Sequence, residues 1–430
     1  MKRSILDNAI SSTLGLWLAI AITQGAFAQT VKPAAEENAI PGWKQWTSQL
    51  ARLDQQVVSQ LPDRLRNDPQ IRQEAGRLLL EALASRTIAA LGDDPDHPVF
   101  LPAINFYFNI GQPNADTTYR SAAIDDTGSY RLRGELGSLR ILRVGLFGVA
   151  PTGPGFSLPV PTYYDLKTLH LDADGRFDFL LSPARPEGYS GDWWRLTPGT
   201  QQLLLRQVAF DWASERDPRI SIERTDHSVE RSRPPADQLQ KHLQSLAEET
   251  AHSALMLFNH VEGLRKEGYI NRLKVFDVSH MGGLIGQFYY EGAYDLQPSE
   301  ALIVEAKVPA GCTYWSIILT NDLYETTDWY NNQSSLNGSQ ARLDADGVVR
   351  YVVSAKDPGV PNWLDTSGYA SGAIQGRWTE CSANPIPTVH KTDFSQIRAS
   401  LPSGTPTVTP QDREKNIRER RSQLQQRPLW

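Results

Sequence analysis

From about residue 100 the apolar and polar positions alternate over short runs, and Gly, Asp and Pro separate the runs. That period of two predicts a mainly β body. Tyr130 to Gly134 and Leu139 to Val144 read as a pair of neighbouring strands. Asp172-Ala-Asp-Gly175 and Asp344-Ala-Asp-Gly347 are near-identical turns, each leading into an alternating run, RFDFLL and VVRYVV. Glycine accepts positive φ, so Asp-Gly favours a tight reversal. One such turn in each half suggests two related β units.

The period changes in two places. Residues 43–91 read as helical, and Pro62 and Pro69 divide them, because proline cannot continue a helix interior. Between about Asp237 and Lys266, Leu239, Leu243, Leu246, Ala254, Leu257 and Val261 recur at helical spacing and form one apolar face. The expected fold is therefore mainly β with helical additions: two β-sandwich or jelly-roll-like units joined by a long helix. The expected divisions are a leader at 1–28, a linker and amino-terminal helices at 29–99, and a first β unit at 100–233. A connecting helix at 234–268 and a second β unit at 269–383 follow. Residues 384–430 read as a Pro/Ser-rich extension ending in a charged, solvated helix.

The first 28 residues have the pattern of a secretory signal. Lys2 and Arg3 precede the apolar run Leu14 to Ile22, and Ala26-Phe27-Ala28 supplies small residues for cleavage before Gln29. The expected location is periplasmic or secreted, with no transmembrane segment after cleavage. Cys312 and Cys381 then stand in a disulfide-permissive compartment, where a bridge or two free thiols are the alternatives.

Composition excludes classes without naming a reaction. The formal net charge is −6, which argues against a nucleic-acid partner. Gly (31) and Pro (28) are too few for a collagenous or broadly disordered chain. The chain has no GxSxG elbow, HExxH pair, Walker loop, GxGxxG turn or CxxC pair. Its 8 His are scattered, so no metal site is expected from them.

Three segments carry a resemblance. They are Gly111-Gln-Pro-Asn-Ala-Asp-Thr-Thr-Tyr-Arg120 with the strand after it, Tyr314-Trp-Ser-Ile-Ile-Leu-Thr-Asn321 with Asn331 to Asn337, and Asp344 to Gly347 leading to Asp357-Pro-Gly-Val-Pro-Asn-Trp-Leu364 and Gly376-Arg-Trp378. Together they resemble bacterial proteins carrying the domain of unknown function 1214. The N-x-D-T-x-Y run is similar to its partner, the domain of unknown function 1254. Asp365 departs from the proline expected after NWL. The resemblance implies two sandwich or jelly-roll units of a kind also used by carbohydrate-active proteins; it implies no reaction.

Polar clusters then nominate the chemistry. Asn114, Asp116, Tyr119 and Arg120 gather at a loop-to-strand junction. Asp322, Asp328, Trp329, Tyr330 and Asn331 fall in one loop that mixes carboxylates with rings. Rings stack on sugar faces, and a carboxylate pair can act as general acid and base in glycoside cleavage. Asp116, Asp322 and Asp328 are the catalytic candidates. Asn114, Tyr119, Arg120, Trp329, Tyr330, Asn331, Asn362, Trp363 and Arg377 are the substrate-binding candidates. Asp192-Trp-Trp-Arg195 is a further exposed candidate. Oxygen-rich loops can also hold Ca²⁺; no other cofactor is expected. Each cluster has a plain structural alternative: turn capping, strand pinning or core filling. The expected partner is a polar small molecule or glycan, bound by a hydrolase or lyase. The alternatives are a non-catalytic envelope protein and a homo-oligomeric structural protein.

Overall fold

The computed structural model describes residues 39–148, 161–278 and 282–429. The signal-like segment and most of the linker lie outside the described residues. The amino-terminal helices are α1 (Trp43–Leu50), α2 (Leu53–Ser59), α3 (Asp63–Arg66) and α4 (Pro69–Gly92). Pro69 opens α4, where its missing N–H costs nothing, and the Asp68 side chain accepts from Gln70 N.

The first β unit holds β1 (Leu101–Pro102), β2 (Thr117–Ala123), β3 (Tyr130–Glu135), β4 (Ile141–Phe147), β5 (Thr162–Asp165), β6 (Arg176–Ser182), β7 (Asp192–Arg195), β8 (Gln202–Val208) and β9 (Arg219–Arg224). The connecting region is α5 (Gln238–Leu255) and α6 (His260–Lys266), two helices where the apolar periodicity suggested one. The second unit holds β10 (Lys274–Phe276), β11 (Gln287–Asp295), β12 (Glu300–Lys307), β13 (Tyr314–Leu319), β14 (Ser335–Asn337), β15 (Val348–Ser354), β16 (Trp363–Asp365), β17 (Ser371–Thr379) and β18 (Thr388–Asp393). Then come α7 (Ile397–Ser400) and α8 (Pro410–Gln426).

The chain is mainly β, and its four sheets form two pairs. The first pair has orders β1-β2-β8-β4-β5 and β7-β6-β3-β9; the second has β10-β11-β17-β13-β14 and β16-β15-β12-β18. Adding nine to each strand of the first pair gives the second. The two units are topological copies. Both Asp-Gly turns form at matching places, before β6 and before β15, with Gly175 at φ 75° and Gly347 at φ 76°.

Each sandwich closes over its own core. Leu132, Leu142, Val144, Phe177, Phe179, Leu203 and Leu205 fill the first, and Tyr290, Val304, Trp315, Ile317, Tyr351, Ile374 and Trp378 fill the second. Residues Pro41–Trp430 nevertheless form one compact unit.

Three expectations need correction. β3 and β4 are not partners: β3 pairs with β6 and β9, and β4 with β5 and β8. The connection through buried Leu139 crosses from one sheet to the other. The second unit does not end at 383, because β18 pairs with β12. The charged tail is a helix, capped reciprocally by Thr409 and Asp412, but it is not solvated all round. Arg413, Arg420 and Leu424 are buried against the body, and so is Arg427 just beyond the helix. Their near-seven-residue spacing keeps the arginines on one side. Arg413 pairs with Asp357 at 2.9 Å and Arg427 with Asp217 at 2.9 Å, while Arg420 stacks 4.4 Å over Trp212.

Cys312 and Cys381 are joined by a disulfide. It fastens the start of β13 to the end of β17, which already pair through Tyr314 and Thr379.

Candidate functional site

Alternation along two strands builds the site. In β8, Leu203 and Leu205 enter the first core, so Gln202, Leu204 and Arg206 project from the opposite face. In β17, Ile374 and Trp378 enter the second core, so Gln375 and Arg377 project outward. In an isolated sandwich these outer faces would be wet. Here they border a shared cavity of about 560 Å³, with α4 and α5 contributing to its wall. That volume suits a small molecule, whose sites span ~300–1,000 Å³.

Strand register relates the two walls. Arg206 lies opposite Tyr119 of β2, and Arg377 lies opposite Tyr289 of β11. Each arginine is two residues from the end of its strand, and each tyrosine is third in its own. The guanidinium of Arg206 sits 5.4 Å from the Tyr119 ring centroid, and that of Arg377 sits 5.1 Å from that of Tyr289. The duplicated fold therefore brings two equivalent Arg–Tyr pairs to one cavity, one from each unit.

The polar groups there are incompletely used. Arg377 is 4% exposed, and its Nη2 donates to Gln375 Oε1 at 2.8 Å. Half-buried Arg206 donates from Nη2 to the Gly282 carbonyl at 2.7 Å. Among the described residues, the Nε of each arginine and the Nε2 of buried Gln112 have no hydrogen-bond partner. Burial pushes the Tyr289 phenol above its ordinary pKa, so it stays a neutral hydrogen-bonding group.

A relay continues behind the wall. Gln375 Nε2 donates to Tyr324 Oη at 2.6 Å, and Tyr324 donates to Glu291 Oε2 at 3.2 Å. Glu291 is fully buried and meets His260 Nε2 at 2.9 Å. Tyr324 holds φ 65°, a left-handed conformation unusual for a bulky residue. Its contacts offset that strain.

Of the nominated residues, Tyr119 and Arg377 reach the cavity. Arg120 does not. It lies opposite Leu205 on the other face of β2 from Tyr119.

Asp116 and Asn114 are buried outside the cavity, in a network between the two units. Asp116 accepts from Trp212 Nε1 at 2.8 Å, Tyr314 Oη at 2.5 Å and Asn337 Nδ2 at 2.8 Å, and Asn114 Nδ2 donates to Tyr314 Oη at 2.9 Å. Burial raises the Asp116 pKa against these stabilising bonds. The carboxylate is enclosed and has no face for a substrate.

The loop candidates are structural as well. Asp322 accepts from Arg64 at 2.6 Å and Ser371 at 2.5 Å, tying α3 to the loop. Asp328 caps the turn at the Tyr330 and Asn331 backbone amides, and the Asn331 side chain donates to it. Trp329 is buried beside Leu424, with Phe106 and Tyr330 packed on it. Trp363 fills a separate cluster under α7, and Asn362 bonds the backbone of Arg342 and Arg350. The three nominated carboxylates share no cleft. Among the described residues, no group of three or more His, Cys, Asp and Glu is placed to hold a metal ion.

A larger, more open groove of about 1030 Å³ lies on the first unit and includes Asp192 and Trp193. Several of its charges are matched locally: Arg131 with Asp178, Arg133 with Glu223, and His170 with Asp192. In the smaller cavity, among the described residues, neither Arg206 nor Arg377 has a carboxylate partner.

Sequence reasoning missed Arg206, Tyr289 and the His260–Glu291 pair, while Tyr324 stands in the nominated loop. Arg206 occupies the polar phase of an alternating strand, which reads as solvent-facing. Glu291 did leave a signal: a carboxylate in the middle of the aromatic run QFYYEGAY.

Residues 294–374 match the family model described as protein of unknown function DUF1214. The match runs from the end of β11 to the middle of β17, within the second unit. An uncharacterized protein from Burkholderia cenocepacia has a similar crystal structure, with TM-score 0.75 and 27% identity over 84% of this chain and 98% of that one. The coverage extends the likeness well beyond the matched domain. The VPA0106 protein from Vibrio parahaemolyticus aligns at 14% identity and TM-score 0.41, over 74% of this chain and 98% of that one. No curated protein matches this chain. Among the described residues no helix is long and apolar enough to cross a membrane.

Proposed function

We propose that this protein binds a small polar molecule, carbohydrate-like in its mixture of hydroxyls and apolar faces, in the cavity between its two β units. One observation carries the reading: both units line a cavity of about 560 Å³ whose arginines and Gln112 have donors left unused by the protein. Tyr119, Tyr289 and Tyr324 supply rings, while Gln112 and Gln375 supply amides. Binding is favoured over glycoside cleavage, because Asp116, Asp322 and Asp328 are each engaged elsewhere. On the same proposal the first unit is the 1254-like partner of the 1214-like second. The signal-like first 28 residues would put the binding outside the cytoplasm.

The test is ligand-induced stabilisation of the full-length protein against neutral sugars, sugar acids and sugar phosphates. At least one compound should raise the melting temperature, and Ser253→Trp, which fills the cavity from α5, should abolish the shift. Equal stabilisation of that variant would put the binding site elsewhere. Release of a cleavage product would restore the hydrolase reading.

A further inference from the structure

We propose that the cavity selects an anionic ligand, and that the duplicated Arg–Tyr pairs clamp its carboxylate, phosphate or sulfate group. This rests on the reading of the cavity as the ligand site and narrows the chemistry of what it takes.

Taking a guanidinium out of water is costly unless an anion or a full set of acceptors compensates. The buried arginines of the carboxyl-terminal segment are compensated. Arg413 and Arg427 each have a carboxylate at 2.9 Å, and Arg420 donates to the Trp329 carbonyl and to Ser335 and Gln340. Arg206 and Arg377 are treated differently. Among the described residues neither lies in an ion pair, and their acceptors are neutral oxygens: Gly282 and Tyr163 for Arg206, and Gln375 for Arg377.

The other described residues of the wall do not supply the missing charge. Among the described residues the lining's other ionised groups are Arg86 and Asp93, so with Arg206 and Arg377 it holds three cations to one carboxylate. The tyrosines provide ring faces and neutral phenols. A positive, partly enclosed site with unused N–H groups is matched by an oxoanion. The planar guanidinium presents its donors in a fork that fits two such oxygens, and each pair formed is charge-assisted.

Duplication explains why there are two. Arg206 and Arg377 hold equivalent register positions, so each unit brings the same pair to the cavity. Each cation is braced by its ring, an arrangement that orients the guanidinium without neutralising it. Two cations bordering one cavity favour a ligand with more than one anionic oxygen to share between them.

The experiment is calorimetric titration of the full-length protein with glucose, glucuronate and glucose 6-phosphate, and with inorganic phosphate, sulfate and citrate. At least one charged sugar should bind ten-fold or more tightly than glucose, and its affinity should fall as salt rises. Glucuronate against the 6-phosphate tells carboxylate from phosphate. Arg206→Gln and Arg377→Gln should each lower the charged sugar's affinity at least ten-fold. Arg206→Lys and Arg377→Lys should keep part of it, and Arg133→Gln in the open groove should change nothing. The comparison within the unaltered protein stands even if a variant folds poorly. Neutral sugars that bind as well as charged ones leave the cavity reading intact and overturn the anion. Failure of every neutral and charged probe overturns both. Charged-sugar binding unchanged in both glutamine variants places the anion elsewhere and overturns the clamp.

Discussion

The Tyr314 hydroxyl, from the second β unit, donates to the Asp116 carboxylate, from the first, at 2.5 Å. This bond lies where the units meet, and Ser316, Asn114 and Asn337 extend it into a buried network. Tyr314→Phe should cost about 1–3 kcal/mol, since it leaves a buried carboxylate short of a donor. Urea unfolding of the variant measures it. An unchanged midpoint would mean that Asp116 does not depend on this bond.

The carboxyl-terminal helix is an internal brace. Arg420→Ala removes a buried cation that bonds the Trp329 carbonyl and stacks on Trp212. A loss of about 2–4 kcal/mol is expected. Deleting residues 410–430 should lower the melting temperature while leaving the molecular mass in solution that of the truncated chain in its original oligomeric state. A drop in oligomeric state, seen by sedimentation, would make the helix an assembly element instead.

Glu325 gives stability a defined pH dependence. Burial first, and then the nearby Glu81 charge, push its carboxyl up to about 8, and its Oε1 has no hydrogen-bond partner. The folded state therefore holds a proton that the unfolded chain releases above its ordinary value of 4.5. Stability from this group is full below pH 4.5 and is lost as pH rises towards 8. Glu325→Gln should flatten that decline by a few kcal/mol in unfolding measured at pH 5 and pH 8. Parallel pH profiles for the two proteins would overturn the assignment.

The Cys312–Cys381 bridge closes a long loop, with a sequence separation of 69. Chain entropy predicts about 4 kcal/mol for a loop of that length. Replacing both residues with Ala should cost most of this, and reductant should destabilise the native protein but not the variant. Equal sensitivity of both to reductant would remove the bridge as the cause.

Local pattern determined much of this molecule. Period-two alternation gave the β body, helical spacing gave α4 and α5, and two Asp-Gly turns marked the duplication, because each depends on near neighbours. The phase of β8 and β17 also decided which residues leave the cores, since successive side chains point to opposite faces. Alternation cannot say what an outward face meets. Arg206, in polar phase, looked solvent-facing, and only the apposition of two sheets made it part of a cavity wall. Asp116 looked catalytic because polar residues crowd around it in sequence, but long-range contacts from Tyr314 and Asn337 enclose it. The charged tail looked solvated, and partners as distant as Asp217 and Asp357 bury three of its arginines. Burial and ion pairing are properties of segments far apart in the chain, so they were settled by the tertiary structure.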